Sequence, residues 1–235
     1  YSPHHEATLV DLGPRTVYKL VQVWRDRYEE LGARSDIDYV FIFENRGPEV
    51  GVTLTHPHGQ IYAFPYIPPV AQRELASMER YWYRERRCLM CDLLAREIED
   101  GVRLVSEFGV FRVLVPFYAR FPYEVHVVPE RHMGSLSDLS PDEDWSLAQA
   151  IHDVVARYDA LYEGPMPYMM VLHQNPSDGG NYRHHHFHLE FYPLRRTAGK
   201  LKYRAGCETG AGTFITDASP EAWAQELRGA KGKDK

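Results

Sequence analysis

Two stretches of the chain show the apolar spacing of amphipathic helices, and each leads into a short apolar strand. Apolar residues recurring every three or four positions predict helices over residues 17–31 and 145–161. Compact apolar runs predict strands over residues 39–43 and 168–172. A loop rich in Gly, Pro, Asn and Asp follows each strand. The chain therefore repeats one order of helix, strand and loop.

The openings of the two units share five identical residues at a constant displacement of 127 positions. The matched pairs are His5 and His132, Leu9 and Leu136, Asp11 and Asp138, Leu12 and Leu139, and Pro14 and Pro141. Two unrelated segments would not share this register, so we interpret the pattern as an internal repeat. The repeat begins with a histidine in both units.

The repeat also carries a second histidine motif, now at a displacement of 130 positions. The motifs are HPHGQIY, residues 56–62, and HFHLEFY, residues 186–192, each 11 residues after an asparagine, Asn45 or Asn175. Alternate residues of a strand face one side of its sheet. We therefore expect polar triplets on one sheet face, namely His56, His58 and Gln60 in the first unit and His186, His188 and Glu190 in the second.

Composition narrows the class of protein. The 235 residues are 44% hydrophobic with a formal net charge of −6, and basic and acidic residues are mixed along the chain. That pattern favours a small polar ligand over nucleic acid or an anionic membrane as partner. With three cysteines, no apolar run long enough for a bilayer and no leader pattern, we expect a cytoplasmic protein.

Cys88 and Cys91 form a CxxC motif, the spacing at which one turn of chain supplies two thiolates to Zn²⁺. The same motif is typical of redox pairs, and two buried thiols would need no ligand at all. The repeat suggests His132 and His186 as the other two ligands, which would close a structural zinc site. By the same register His5 and His56 would bind metal in the first unit, with a CxxC in a segment upstream of Tyr1.

If His56 binds metal, His58 remains available as a nucleophile two residues later. A neutral imidazole nitrogen attacking phosphorus forms a phosphoramidate, which can pass its nucleotidyl group to an acceptor. Gln60 would donate to a non-bridging phosphate oxygen, and Thr53 with the loop 47–51 could add hydroxyl and backbone contacts. The alternative is a pair of structural histidines.

These motifs resemble one family. FENRG at residues 43–47, HPHGQ at 56–60, FYP at 191–193 and GCE at 206–208 are similar to those of the galactose-1-phosphate uridylyltransferases, within the histidine-triad-related nucleotidyl transferases. The resemblance runs from Tyr1 to about residue 228. It implies an α+β fold of two histidine-triad-like halves with antiparallel sheet and flanking helices, the first half incomplete. It also implies a homodimer that exchanges UMP between UDP-glucose and galactose 1-phosphate through a uridylyl-histidine.

The resemblance assigns roles by position. His58 matches the nucleophile and Gln60 its phosphate-contacting partner, while Asn45 and Thr53 match phosphate contacts. Lys202, Tyr203 and Glu208 match a C-terminal segment that reaches the hexose phosphate, in the family across the dimer. The implied domains are 1–70, the C-terminal part of the first half; 71–195, the second half; 196–228, the substrate-contacting segment; and 229–235, a tail.

Two departures from the family pattern bear on these expectations. Some members bind a second metal through Glu and three His, and the matching positions here are Glu74, His173, His188 and Glu190, with a carboxylate in place of the last His. We therefore expect zinc at Cys88, Cys91, His132 and His186 instead. Phe214 stands where some members have a Gln facing the sugar. The competing functions are an adenylyl- or ADP-sugar-phosphorylase-type relative, disfavoured by Gln60, and an inactive zinc-stapled nucleotide-binding subunit.

Overall fold

The computed structural model describes residues 1–162 and 164–230. Five α-helices and nine strands occur within them. The helices are α1 (Leu9–Gly32), α2 (Pro69–Glu85), α3 (Leu89–Asp100), α4 (Pro141–Leu161) and α5 (Pro220–Gly229). The strands are β1 (Tyr39–Arg46), β2 (Gln60–Phe64), β3 (Leu104–Phe108), β4 (Phe111–Leu114), β5 (Val125–Pro129), β6 (Tyr168–His173), β7 (His188–Pro193), β8 (Arg195–Thr197) and β9 (Lys200–Leu201).

Seven strands form one antiparallel sheet in the order β2-β1-β6-β7-β5-β4-β3, and β8 and β9 form a separate pair. The two repeat units meet where β1 pairs with β6, with Arg46 opposite Tyr168. In each unit one strand, β1 or β6, pairs with the strand that follows the histidine loop, β2 or β7. The α+β class with an antiparallel sheet is confirmed.

The predicted helices form but begin earlier than their apolar periodicity indicated. In α1 the backbone breaks at Gly13, whose φ of 71° lies in the left-handed region, and the long helical segment follows Pro14. A capping box of Thr8 and Asp11 closes the start of α1. The 3₁₀ turn Leu136–Asp138 before α4 has its own capping box, of Ser135 and Asp138. The matched openings of the repeat are thus matched helix-capping structures.

Helices α1 and α4 pack against each other beside the sheet. Val17 and Val21 of α1 and Ile151 and Val155 of α4 are fully buried in the main core. Burial of such side chains contributes about 1.5–3 kcal/mol each. This packing holds both repeat units as one body and fixes the loops that carry the histidines.

The strand expected to carry both histidines of each triplet is shorter than predicted. β2 begins at Gln60 and β7 at His188, so His56, His58 and His186 lie in the loops before the strands and strand alternation does not place them. Pro57 has no N–H to give to a β-ladder. In the second unit the Phe187 N–H donates instead to the carbonyl of Met133, in the loop before α4, at 2.7 Å, so it is not part of the β-ladder.

Most of the predicted tail, residues 229–235, lies outside the described residues, and Gly229 is the last residue of α5. Among the helices of the described part of the chain, none combines the length and the apolar character that a bilayer crossing requires. The proposed division at residues 70 and 195 stays a prediction.

Candidate functional site

His58 lies in the loop between β1 and β2, and a backbone contact orients its ring. Its Nδ1 donates to the carbonyl oxygen of His56 at 2.8 Å. A carbonyl oxygen only accepts hydrogen bonds, so Nδ1 carries the proton and Nε2 of the neutral ring keeps its lone pair. The loop therefore holds the tautomer that a nucleophilic imidazole needs.

The residues predicted to contact phosphate surround His58. Asn45, Thr53, His58 and Gln60 line one cavity of about 220 Å³. His58 and Asn45 also line a larger cavity of about 580 Å³, which extends toward Arg195. The loop reaches this place through Gly47 and Gly51, whose φ values of 101° and 83° favour glycine.

The glycine after the nucleophile is a point of close backbone approach. A Cβ on Gly59 would overlap the Tyr1 hydroxyl and lie 2.9 Å from Tyr1 Cζ. Behind this contact Tyr168 donates to the buried Glu44 carboxylate at 2.7 Å. Burial raises the pKa of Glu44. A packed layer of Tyr1, Glu44 and Tyr168 thus supports the nucleophile loop from behind.

The second unit brings together two thiols and two imidazoles. Donor atoms of Cys88, Cys91, His132 and His186 all lie within 4.8 Å of one another. Cys91 Sγ is 3.3 Å from His186 Nδ1 and 3.6 Å from His132 Nδ1. The hydrogen bond from the Cys91 thiol lowers the pKa of the Cys88 thiol. The chain therefore contains a group of four side chains that could hold a metal ion, at the predicted positions.

The first unit repeats half of this arrangement. His186 Nε2 donates to the Pro129 carbonyl at 2.8 Å, which leaves Nδ1 toward the thiols. His56 Nε2 makes the corresponding bond to the carbonyl of Ser2, which the repeat register of 127 aligns with Pro129. The rings of His5 and His56 lie 4.3 Å apart. His5 and His56 thus lie side by side, and among residues 1–162 and 164–230 the Nδ1 of His56 has no hydrogen-bond partner.

A second buried polar cluster surrounds His188. Glu74 pairs with His173 Nδ1 at 2.7 Å and with His188 Nε2 at 3.1 Å. Glu190 lies 3.4 Å from His173 Nε2 and 3.2 Å from His126 Nε2. The charges of His173 and His188 lower the pKa of Glu74 against the opposing effect of burial. All four positions of the alternative metal set therefore meet in space.

Sequence reasoning missed two members of this cluster. Glu124 directly precedes β5 and His126 lies within it, and with Glu190 they form a further group of donors within 4.8 Å of one another. Their side chains are 0% and 1% exposed. The alternation of Glu124 and His126 in an otherwise apolar segment was the available signal, because a charged residue on a buried strand needs a partner.

His58 and His188 are repeat counterparts with different surroundings. Both donate from Nδ1 to the carbonyl two residues earlier, at 2.8 Å in each case. His58 lines open cavities, whereas His188 is 1% exposed and its Nε2 faces the Glu74 carboxylate. The two units therefore orient the imidazole in the same way, but in the second unit Glu74 of α2 covers the Nε2 atom.

The predicted hexose-phosphate residues lie apart from His58 within the chain. Lys202 Nζ donates to Glu208 at 2.6 Å and to the Ile215 carbonyl at 3.0 Å, and both charged groups are buried. Tyr203 is 73% exposed. None of the three is among the residues lining the two cavities that hold His58.

The chain matches two family models along nearly its whole length. Residues 1–68 match the galactose-1-phosphate uridyl transferase N-terminal domain, and residues 74–229 match the C-terminal domain of the same family. A galactose-1-phosphate uridylyltransferase of Thermotoga maritima is 42% identical over 229 residues, covering 97% of this chain and 71% of the relative.

Two further relatives agree. The Haemophilus influenzae galactose-1-phosphate uridylyltransferase is 33% identical, with coverage of 97% of this chain and 65% of its own length. A solved structure described as a uridylyltransferase superposes with a TM-score of 0.92 at 35% identity, covering 97% of this chain and 72% of that one. The chain spans roughly two thirds of the length of such relatives. It belongs to the galactose-1-phosphate uridylyltransferase family, nucleotidyl transferases of galactose metabolism.

Proposed function

We propose that this chain carries the nucleophile for exchange of UMP between UDP-glucose and galactose 1-phosphate, and that the nucleophile is His58 Nε2. The observation that supports this most directly is the bond from His58 Nδ1 to the His56 carbonyl, which leaves Nε2 unprotonated in the neutral ring. The nucleophilic atom must have a free lone pair and must face a cavity that can admit the substrate. His58 Nε2 has the lone pair, and His58 lines such a cavity.

In the first half-reaction Nε2 attacks the uridylyl phosphorus of UDP-glucose. A P–N bond forms, the P–O bond to the hexose phosphate breaks, and glucose 1-phosphate leaves. The Nδ1 proton stays on the ring, hydrogen-bonded to the carbonyl. In the second half-reaction an oxygen of galactose 1-phosphate attacks the same phosphorus, and the P–N bond breaks to restore His58. A covalent relay lets one site serve both sugar phosphates.

Three neighbours would bind the phosphate during both steps. The Gln60 and Asn45 amides and the Thr53 hydroxyl can donate to non-bridging oxygens, and all three line the cavity of about 220 Å³ with His58. His188 is not the nucleophile in this proposal, because Glu74 holds its Nε2 at 3.1 Å in a buried ion pair.

We propose that Cys88, Cys91, His132 and His186 hold Zn²⁺ as a structural ion. Two thiolates and two imidazoles make a closed tetrahedral set that leaves no position for substrate, so the ion would contribute folding energy. The bond from His186 Nε2 to Pro129 supports this, since it directs Nδ1 to the thiols. His5 and His56 would serve as ligands of a second zinc. Cys88, Cys91 and Cys207 form no disulfide within the described residues, which is typical of a reducing compartment and in keeping with a cytoplasmic enzyme.

We further propose that the enzyme works as a homodimer. Lys202, Tyr203 and Glu208 match substrate-contacting positions of the family but do not line the cavities around His58 in their own chain. A second copy that presents this segment to the first would reconcile both observations.

The test is covalent labelling. The protein is mixed with UDP-glucose carrying label in the uridylyl phosphate, without acceptor. We expect acid-labile, base-stable label on the wild type and on His188→Asn, and none on His58→Asn, whose zinc content stays normal. Stoichiometric label on His58→Asn would place the nucleophile elsewhere. Labelling from ADP-glucose in preference to UDP-glucose would favour an adenylyl-transferring relative, and nucleotide binding without labelling an inactive binding subunit.

A further inference from the structure

Arg195 lines the large cavity, and its nearest carboxylate lies beyond hydrogen-bonding distance. It begins β8 and lines the cavity of about 580 Å³ together with His58. Its side chain is 18% exposed, and the nearest carboxylate is Glu49 at 4.0 Å. Within residues 1–162 and 164–230 its guanidinium makes no hydrogen bond. The five donors of this guanidinium therefore have no hydrogen-bond acceptor among the described residues.

Every other arginine of the described chain with a side chain less than a quarter exposed is paired at hydrogen-bonding distance. These residues are Arg25, Arg46, Arg103, Arg112 and Arg157. Arg46 is the most direct comparison with Arg195, because it lines the same cavity but donates to both carboxylate oxygens of Asp159 at 2.9 Å. Arg195 is therefore the exception among shielded arginines.

The surroundings of Arg195 would strengthen its hold on an anion. Pro165, Met166 and Pro167 line the same cavity, and apolar walls lower the local dielectric. Leaving a shielded charge unpaired is costly, whereas a bidentate bond to a phosphate satisfies the guanidinium fork. Glu49, on the loop that leads to His58, is close enough to hold Arg195 loosely until an anion displaces it.

We propose that Arg195 binds the phosphate of the hexose 1-phosphate, the group that leaves in one half-reaction and attacks in the other. This inference rests on the proposed function. The uridylyl phosphate must lie against His58 and within reach of Gln60, which lines the smaller cavity but not the larger one that Arg195 lines. The larger cavity joins His58 to Arg195, so the phosphate that reaches Arg195 belongs to the sugar side of the anhydride.

The experiment measures binding, by isothermal titration calorimetry, of glucose 1-phosphate and separately of UMP. We expect Arg195→Gln to weaken glucose 1-phosphate binding about 10- to 100-fold, the loss typical of charge-assisted hydrogen bonds, and to leave UMP binding unchanged. Arg195→Lys, which keeps the charge but loses the fork, should fall between. Glu49→Gln should tighten glucose 1-phosphate binding, since it removes the competing carboxylate.

Arg196 provides the matched control. It is the next residue of the strand, it does not line either His58 cavity, and its partner is the exposed Asp217 at 3.5 Å. Arg196→Gln should bind both ligands as the wild type does, and urea unfolding of each variant separates misfolding from a lost contact.

Unchanged glucose 1-phosphate binding in a folded Arg195→Gln protein would overturn the proposal. Equal losses for UMP and glucose 1-phosphate would overturn the assignment to the sugar side, and equal losses in Arg195→Gln and Arg196→Gln would reduce it to nonspecific charge. Histidine labelling by UDP-glucose tests the proposed function independently. Normal labelling with unaltered glucose 1-phosphate binding would refute the Arg195 role alone.

Discussion

Replacement of Gly59 by alanine tests how the backbone positions the nucleophile. The Cβ of alanine would overlap the Tyr1 hydroxyl, lie 2.9 Å from Tyr1 Cζ and lie 3.2 Å from the Phe43 carbonyl oxygen. Real Cβ contacts are not this short, so either the Tyr1 ring or the His58 loop must move. The Tyr1 hydroxyl is buried and its ring packs against the core, which restricts the first route.

Overpacking of this kind costs about 1–3 kcal/mol. We expect Gly59→Ala to destabilise the protein by about that amount and to slow labelling of His58 by about tenfold or more, since small misplacements of reacting groups are expensive. Gly206→Ala is the matched control for stability. Gly206 has helical φ and ψ of −59° and −36°, and a Cβ there meets no atom within 4 Å, so the change should stay within about 0.5 kcal/mol.

A second variant identifies Tyr1 as the obstacle. Tyr1→Leu removes both clashing atoms, so in the Tyr1→Leu/Gly59→Ala double variant the two costs should be less than additive, by about 1 kcal/mol. Urea unfolding of the four proteins gives this coupling energy, and the labelling rate reports the loop. Equal stability of Gly59→Ala and Gly206→Ala, or strictly additive effects of Tyr1→Leu and Gly59→Ala, would show that Tyr1 does not obstruct a Cβ at position 59.

Three further predictions concern the metal, a charge pair and pH. Cys88→Ser should lose zinc and melt at lower temperature, and elemental analysis with calorimetry checks this; full zinc with unchanged melting contradicts the assignment. Arg46→Ala, which leaves the Asp159 carboxylate without its cationic partner, should cost about 2–4 kcal/mol in urea unfolding, and Arg46→Ala/Asp159→Ala should recover part of it. The hydrogen bond from Arg131, together with those from Ser140, lowers the pKa of Glu143 from 4.5 to about 2, so the contribution of this carboxylate to stability is present above about pH 4.5 and lost as pH falls toward 2. Glu143→Gln should therefore lose more stability at about pH 6 than at about pH 3, where the carboxylate is still ionised in the folded protein but largely protonated in the unfolded one, and an equal loss at both would be contradictory.

Local pattern was sufficient to predict much of this molecule. The repeat register placed His5 with His56 and Cys88 and Cys91 with His132 and His186, because equivalent residues of a repeat occupy equivalent places. Helical periodicity located α1 and α4, and apolar runs located β1 and β6. The predicted boundaries were wrong in two ways: α1 and α4 begin earlier than predicted, and β2 and β7 begin later. At these element ends capping bonds and proline, which periodicity does not record, set the boundary.

The different surroundings of the two equivalent histidines depended on tertiary structure. His58 and His188 occupy equivalent positions of the repeat, in HPHGQ and HFHLE, and make the same bond to a carbonyl, but Glu74 of α2 reaches only His188. Likewise, Arg195 and Arg196 are adjacent residues of the same type, and only the packing shows that Arg195 is the one that lines the cavity, with its nearest carboxylate at 4.0 Å. By itself the sequence determined which residue types recur at which spacing. The fold decided which of them meet a partner and which face open space, because burial and pairing depend on contacts between residues far apart in the chain.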